Sequence, residues 1–329
     1  MRVRNSIFPY SNTIVCIEDS KMLKEFQYDI LLNTNNLQAT LDELNKMNYF
    51  RTYENANTEN YNQILDSLMF DTFELMREIS PTDLIWRIFA LYYDIHNMKL
   101  VVKERMTGKR LDSLVMAYGS YPMPTIRSAA VRESDNILEN ETLTAGFFEA
   151  LNAKEMYNVD FILDRAYFRT LESLAEELGV QSIIGFVTER VDLYNISVLF
   201  QSIAAGMQKG YFTKAFSDRG SSPLSEWEAY IYNEQEDAEK FPLWQKYKQL
   251  WEAASSRREL FEELDVRIDN YMIERTKACK LIAFGIEPIC AYFFNKLMEI
   301  KNIRILLKGK DSGYGTSEIR RRMRIPYEL

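Results

Sequence analysis

The stretch Asp94-Ile95-His96-Asn97-Met98-Lys99-Leu100-Val101-Val102-Lys103 returns near the end of the chain as Glu299-Ile300-Lys301-Asn302-Ile303-Arg304-Ile305-Leu306-Leu307-Lys308. Ile95, Asn97 and Lys103 meet identical residues at Ile300, Asn302 and Lys308, and most other positions exchange like for like. A looser copy, Asp192-Leu193-Tyr194-Asn195-Ile196-Ser197-Val198-Leu199-Phe200-Gln201, lies between them. The copies start 98 and 107 residues apart, a domain-sized spacing.

Two further signals keep the same order. Gly119-Ser120-Tyr121-Pro122 and Gly220-Ser221-Ser222-Pro223 read as turns that open a helix. Upstream of each copy an acid pairs with an aromatic: Asp71-Thr72-Phe73, Asp164-Arg165-Ala166-Tyr167-Phe168 and Asp269-Asn270-Tyr271. Three patterns in one order argue for an internal repeat.

Within each copy the acid and the Asn are three residues apart and share a helix face. Asp94, Asn97 and Val101 follow one stripe, Ile95, Met98 and Val102 the adjacent apolar one, and Lys99, Lys103 and Glu104 are expected to point outward. A semi-buried Asn needs partners for its amide, so Asn97, Asn195 and Asn302 are expected to bond a facing helix or a nearby backbone group. A repeated joint explains the recurrence with fewer assumptions than a repeated set of ligand contacts. Leu23 to Asn33, Leu37 to Met47, Leu171 to Leu178 and Leu260 to Ile268 carry the helical period, and strand-like alternation is scarce. The reading is all-α, with helical repeat domains over 1–112, 113–216 and 217–329 and motif helices beginning near Asp94, Asp192 and Glu299. Thr107-Gly108-Lys109 is expected to close the first of them, residues 309–316 to form a glycine-bearing loop, and Pro242 to interrupt a long acidic helical region.

Composition narrows the function classes. Of 329 residues, 47% are hydrophobic and 13% aromatic, enough for substantial cores. No stretch reaches the roughly 20 apolar residues of a spanning helix. Met1-Arg2-Val3-Arg4-Asn5 is not followed by an apolar segment, which argues against export. Cys16, Cys279 and Cys290 form no framework, and Cys290 in its apolar run reads as a buried thiol suited to a reducing compartment. A net charge of −8 argues against nucleic acid as the main partner. The charge is uneven: residues 225–265 hold 11 acidic and 5 basic side chains, residues 299–329 hold 8 basic and 4 acidic ones. Such surfaces can orient on other proteins.

Catalytic and cofactor chemistry finds little support, and no catalytic, cofactor or metal residue is assigned. His96 is the one histidine, and its place is taken by Tyr194 and Lys301 in the other copies, which reads as a variable exposed position. The cysteines lack zinc-site spacing. Lys308-Gly309-Lys310-Asp311-Ser312-Gly313 lacks the Walker spacing of glycines. Arg320, Arg321, Arg322 and Arg324 read as a C-terminal helix whose cations meet either an acidic partner or the chain's own carboxylates.

The run Glu287-Pro288-Ile289-Cys290-Ala291-Tyr292, continuing through Glu299 to Lys310 and Ile319-Arg320-Arg321-Arg322-Met323, resembles the C subunit of V/A-type ATPases, the homologue of the d subunit of eukaryotic V-type enzymes. Tyr93 to Lys99 resembles the family's first D-x-x-N-[IL]-K element, with Met98 in the aliphatic place, and Asp192 to Ile196 its second. Phe200-Gln201 departs from the Arg often found there. The resemblance implies a funnel-shaped, three-domain helical subunit on the cytoplasmic face of the membrane. It would sit on the proteolipid ring, hold the lower end of the central stalk and transmit torque for ATP hydrolysis or synthesis coupled to H+ or Na+ transport. It implies no cofactor and no small-molecule substrate. A helical scaffold or adaptor without rotary function is the competing reading.

Overall fold

The computed structural model describes residues 8–50, 53, 56–132, 138–204, 206, 209–232, 241–252 and 257–328. The Met1-to-Asn5 stretch read for an export signal, and the acidic residues 233–240 ahead of Pro242, lie outside them. Helices and their connections make up all the described residues, with no strand among them. In chain order the α-helices are α1 (Pro9–Ser20), α2 (Glu25–Leu32), α3 (Leu37–Lys46), α4 (Tyr61–Ile79), α5 (Asp83–Thr107), α6 (Met123–Arg132) and α7 (Glu141–Leu151). They continue as α8 (Met156–Leu178), α9 (Gln181–Ala204), α10 (Lys209–Ala215), α11 (Leu224–Tyr232), α12 (Arg257–Lys277), α13 (Glu287–Asp311) and α14 (Thr316–Arg322). Side chains that favour helix starts sit at several of these boundaries: Asn36 and Asn140 cap the Ala39 and Leu143 amides at 2.9 Å.

The chain folds as two compact units. One joins the two ends of the sequence, Arg4–Pro81 with Glu262–Leu329. Its core places Leu31, Leu41, Leu44 and Leu65 from α2–α4 against Ile303, Leu306 and Leu307 from α13 and Ile319 from α14. Each such side chain, taken fully out of water, contributes about 1.5–3 kcal/mol. The half-exposed Arg320–Asp29 pair in the same unit contributes at most about 1 kcal/mol. Apolar burial, rather than surface charge, therefore joins the two ends. Gly309 in α13 faces Ile319, where any side chain larger than hydrogen would strike the isoleucine.

The other unit spans Thr82–Phe261. Here α5 and α7 both pack on α8, and Gly146 lets α7 approach Ala166 of α8 too closely for a Cβ to intervene. Aromatic rings fill the far end of α9. Two stacked indoles, Trp244 and Trp251, lie 5.0 Å apart, and Phe241 sits 5.1 Å from each. Phe200, the departure noted in the second motif, enters this cluster 5.6 Å from Phe241.

The motif helices start earlier than expected. Asp94, Asp192 and Glu299 are the twelfth, twelfth and thirteenth residues of α5, α9 and α13, which are 25, 24 and 25 residues long. Thr82 caps α5 well upstream, and no helix breaker intervenes before Gly108, which closes it as expected. Residues 309–316 do not form a loop throughout, because α13 runs on to Asp311 and Gly309 is buried within it. Glu104 and Lys99 also turn inward: Glu104 receives Arg127 Nε and Nη2 at 3.1 and 2.7 Å, and Lys99 reaches Asp164 at 2.7 Å.

Candidate functional site

Each motif helix clamps one residue of the segment that follows it. Asn97 donates through Nδ2 to the Met116 carbonyl at 2.7 Å and accepts at Oδ1 from the Met116 N–H at 3.0 Å. Asn195 holds Ser217 in the same way, at 2.9 Å for both bonds. Asn302 holds Arg324 at 2.9 and 2.8 Å. A primary amide offers a donor and an acceptor side by side, so one side chain satisfies both backbone groups of one residue. The three acids and three asparagines are at most 3% exposed, so these bonds form out of water, where an orphaned group is costly.

The position between acid and Asn serves the carbonyl two residues before the clamped one. His96 Nε2 donates to Leu114 at 2.9 Å, and Tyr194 donates to Ala215 at 3.2 Å. His96 is thus half-buried and employed, not the free exposed position expected of it. In the third helix Lys301 bonds Asp269 instead, at 2.8 Å. The corresponding Arg322 carbonyl accepts from Arg324 Nη1, also at 2.8 Å.

The acids hold the backbone at the start of the next helix. Asp94 accepts from the Tyr121 N–H at 3.0 Å, just before α6. Asp192 accepts from the Ser221 N–H at 2.6 Å, just before α11, and from Ser221 Oγ, Lys246 and Tyr247, each at 2.7 Å. The aromatic cluster of residues 241–251 carries Lys246 and Tyr247 and so supports this joint. Glu299 accepts from the Leu23 N–H at 2.6 Å, just before α2, while Lys296 pairs with its other oxygen. Gly119 and Gly220 complete two of the joints. A Cβ on Gly119 would collide with the Asp94 carboxylate, and one on Gly220 would lie 2.6 Å from Asp192 Oδ1.

Burial pushes the Asp94 carboxyl up to about 6, against the bonds from Tyr121 and Ser120 that favour its ionised form. The folded chain therefore holds this proton where the unfolded chain has released it. Stability from this group is full below the ordinary carboxylate range and falls as pH rises towards about 6. Asp94→Asn should remove that slope. The unfolding free energy of the parent relative to the variant should fall by about 3 kcal/mol between pH 3.5 and 7.5, read from urea melts. A constant difference across that range would show that Asp94 does not titrate on folding.

The C-terminal arginines divide into two kinds. Arg320, Arg321 and Arg322 are about half exposed and pair with Asp29, Glu262 and Glu318. Arg324 is buried, its side chain 6% exposed, with Nε and Nη2 both 2.8 Å from Asp269. Its guanidinium and its backbone are taken up by the third joint, which leaves the first three as the surface cations. Cys290 is buried, as its apolar run suggested, and burial raises its thiol well above the usual range. Among the described residues no helix is long and apolar enough to cross a membrane, and no cluster of His, Cys, Asp and Glu is arranged to hold a metal ion.

Sequence reasoning missed the clamped partners Met116, Ser217 and Arg324, since nothing in those side-chain types announces a backbone contact. The glycine-serine turns were a usable signal, because they follow their acids by 25 and 28 residues and touch them.

Comparison with known proteins finds relatives over most of the chain. The model of the ATP synthase (C/AC39) subunit family matches residues 11–322, a span that includes the first two joints and Leu23, Glu299 and Asn302 of the third, and stops two residues short of Arg324. The C subunit of the V-type sodium ATPase of Enterococcus hirae is 25% identical over 264 residues, covering 78% of this chain and 80% of that protein. The C subunits of the A-type ATP synthases of Methanocaldococcus jannaschii and Methanococcoides burtonii are each 21% identical, over 95% and 96% of this chain and 85% and 88% of their own. With the match running almost from end to end, the chain belongs to the ATP synthase (C/AC39) subunit family, the C-subunit family of V/A-type ATP synthases.

Proposed function

We propose that this chain is the central-rotor connector of a V/A-type ATPase. As a member of the C-subunit family it is a non-catalytic accessory protein. In this reading it sits on the cytoplasmic face of the proteolipid ring, holds the lower end of the central stalk and carries torque between them. The ion moved would be H+ or Na+, and the direction ATP synthesis or ATP-driven pumping. Three diverged helical repeats, with domains near 1–112, 113–216 and 217–329, would together form a funnel-shaped socket. The observation that carries the reading is the family match through residues 11–322. The three joints support it mechanically, because a part that transmits torque needs its helices locked to the segments that follow them. Each joint does so with buried, paired polar groups, which resist sliding better than apolar contact alone.

Reconstitution of the purified chain with ring and stalk tests this directly. Stoichiometric association with both is expected, and a folded chain that binds neither would favour the scaffold reading. Arg320, Arg321 and Arg322 are proposed to contribute electrostatically to one of these contacts. Replacing all three by Gln should weaken association roughly three- to tenfold at about 0.02 M salt, with the difference closing towards 0.5 M as charges are screened. An affinity unchanged at low salt, with normal folding, would remove these arginines from the interface.

A further inference from the structure

We propose that the first joint is a proton-controlled latch, in which Arg87 exchanges one acceptor for another. While Asp94 is neutral, Arg87 rests on the exposed carboxylate of Glu139; once the Asp94 proton has passed to solvent, Arg87 turns to Asp94. The inference starts from a difference among the three joints. Asp192 has a cation at its oxygen, Lys246 at 2.7 Å, and Glu299 has Lys296 at 2.5 Å. Lys296 stands three residues before its acid, one turn back on the same helix face, where Asp94 has Leu91. Asp94 is 1% exposed and, among the described residues, is bonded by Tyr121 and Ser120 with no cation at ion-pair distance.

The cation whose field reaches Asp94 is Arg87, seven residues earlier and so two turns back on the same face of α5. The matching places before Asp192 and Glu299 hold Gly185 and Tyr292, which confines the arrangement to the first joint. Arg87 is incompletely used where it stands. Its Nη2 donates at 2.8 Å to Glu139, a side chain 71% exposed, while its Nε is buried without an acceptor. An ion pair this exposed is worth little, whereas a buried N–H without a partner is costly. Arg87 therefore stays on Glu139 only while no charge inside competes for it.

Tyr121 ties the two acceptors together: Asp94 holds its N–H, and its phenolic oxygen is bonded to the Glu139 backbone. Glu139 directly precedes Asn140, the cap of α7. Moving Arg87 between acceptors thus changes what holds the starts of both α6 and α7. The other charges on the elements around this joint are committed elsewhere. Arg127 of α6 serves Glu104 and Asp112, Glu149 of α7 meets Arg165, and Asp160 and Asp164 of α8 take Lys99 and Lys103. His96 of α5 is engaged by the Leu114 carbonyl. With burial holding the Asp94 proton up to about 6, the exchange is set for that range, and the second and third joints, which carry their own cations, do not share it.

Nuclear magnetic resonance of the full-length chain, titrated from about pH 5 to 7.5, tests the latch through the Asp94 carboxyl carbon and the Arg87 Nε–H. Both signals should move with one midpoint at about 6, and in Asp94→Asn the Arg87 signal should stay fixed throughout. The Tyr121 amide should follow the same midpoint, and the Ser221 and Leu23 amides should not. Glu139→Gln removes an exposed carboxylate and leaves Asp94 as the remaining acceptor for Arg87. The Asp94 midpoint should then fall by about 0.5 or more, even at about 0.5 M salt, where loss of a distant negative charge is screened. An Arg87 signal that ignores the Asp94 titration would overturn the proposal. So would an Asp94 carboxyl that does not titrate in this range, or a Glu139→Gln midpoint equal to the parent's at high salt.

Discussion

Replacing Asn302 by Leu is expected to lower the unfolding free energy by about 2–4 kcal/mol, one of the largest effects of any single polar substitution in this chain. The change is close to isosteric, so packing is preserved while the amide is lost. Both backbone groups of Arg324, now clamped at 2.9 and 2.8 Å, would be left buried without partners. Each such orphan costs about 1–3 kcal/mol, offset in part by the greater apolarity of the leucine. The damage should spread, because Arg324 also carries the guanidinium paired with Asp269 and bonded to the Arg322 carbonyl. Asn152, exposed at the end of α7 and bonded to the Phe148 carbonyl, provides the comparison. Asn152→Leu should change stability by no more than about 0.5 kcal/mol. Equal and small effects in chemical denaturation would show that the amide clamp does not hold the third joint.

How much of this was legible in the sequence differs from residue to residue. The helical class followed from periodicity, and the need of Asn97, Asn195 and Asn302 for amide partners followed from a semi-buried place beside an apolar stripe, whereas the burial of Asp94, Asp192 and Glu299 was not read. Gly119 and Gly220 were legible as turns, although not as the cradles of the acids. What could not be read depends on contacts distant in sequence. Leu23 meets Glu299 through a backbone N–H, which any residue but proline possesses, so its identity holds no information. Glu104 looked solvent-facing by its charge, yet Arg127 supplies two bonds that make an inward carboxylate tolerable. Lys308-Gly309-Lys310 looked like a loop because glycine lowers helix propensity, whereas the close approach of Ile319 is what selects glycine within α13.

The second large effect concerns coupling in the assembled enzyme. A connector without catalytic groups can be removed without touching the chemistry of ATP hydrolysis, which belongs to other subunits in the proposed role. Its loss should instead break the mechanical path between stalk and ring. ATP hydrolysis in the complex lacking this chain should persist, while ATP-driven ion transport should fall by at least tenfold. The Asn302→Leu protein should fall between these limits if it assembles, because a loosened third joint leaves the path connected but compliant.

The most direct measurement is therefore the ratio of ions moved to ATP hydrolysed, in vesicles holding the purified complex with and without this chain. A rotor connector requires a ratio near zero without the chain and its recovery when the purified chain is added back. Full ATP-driven transport by a complex proven to lack the chain would contradict that role.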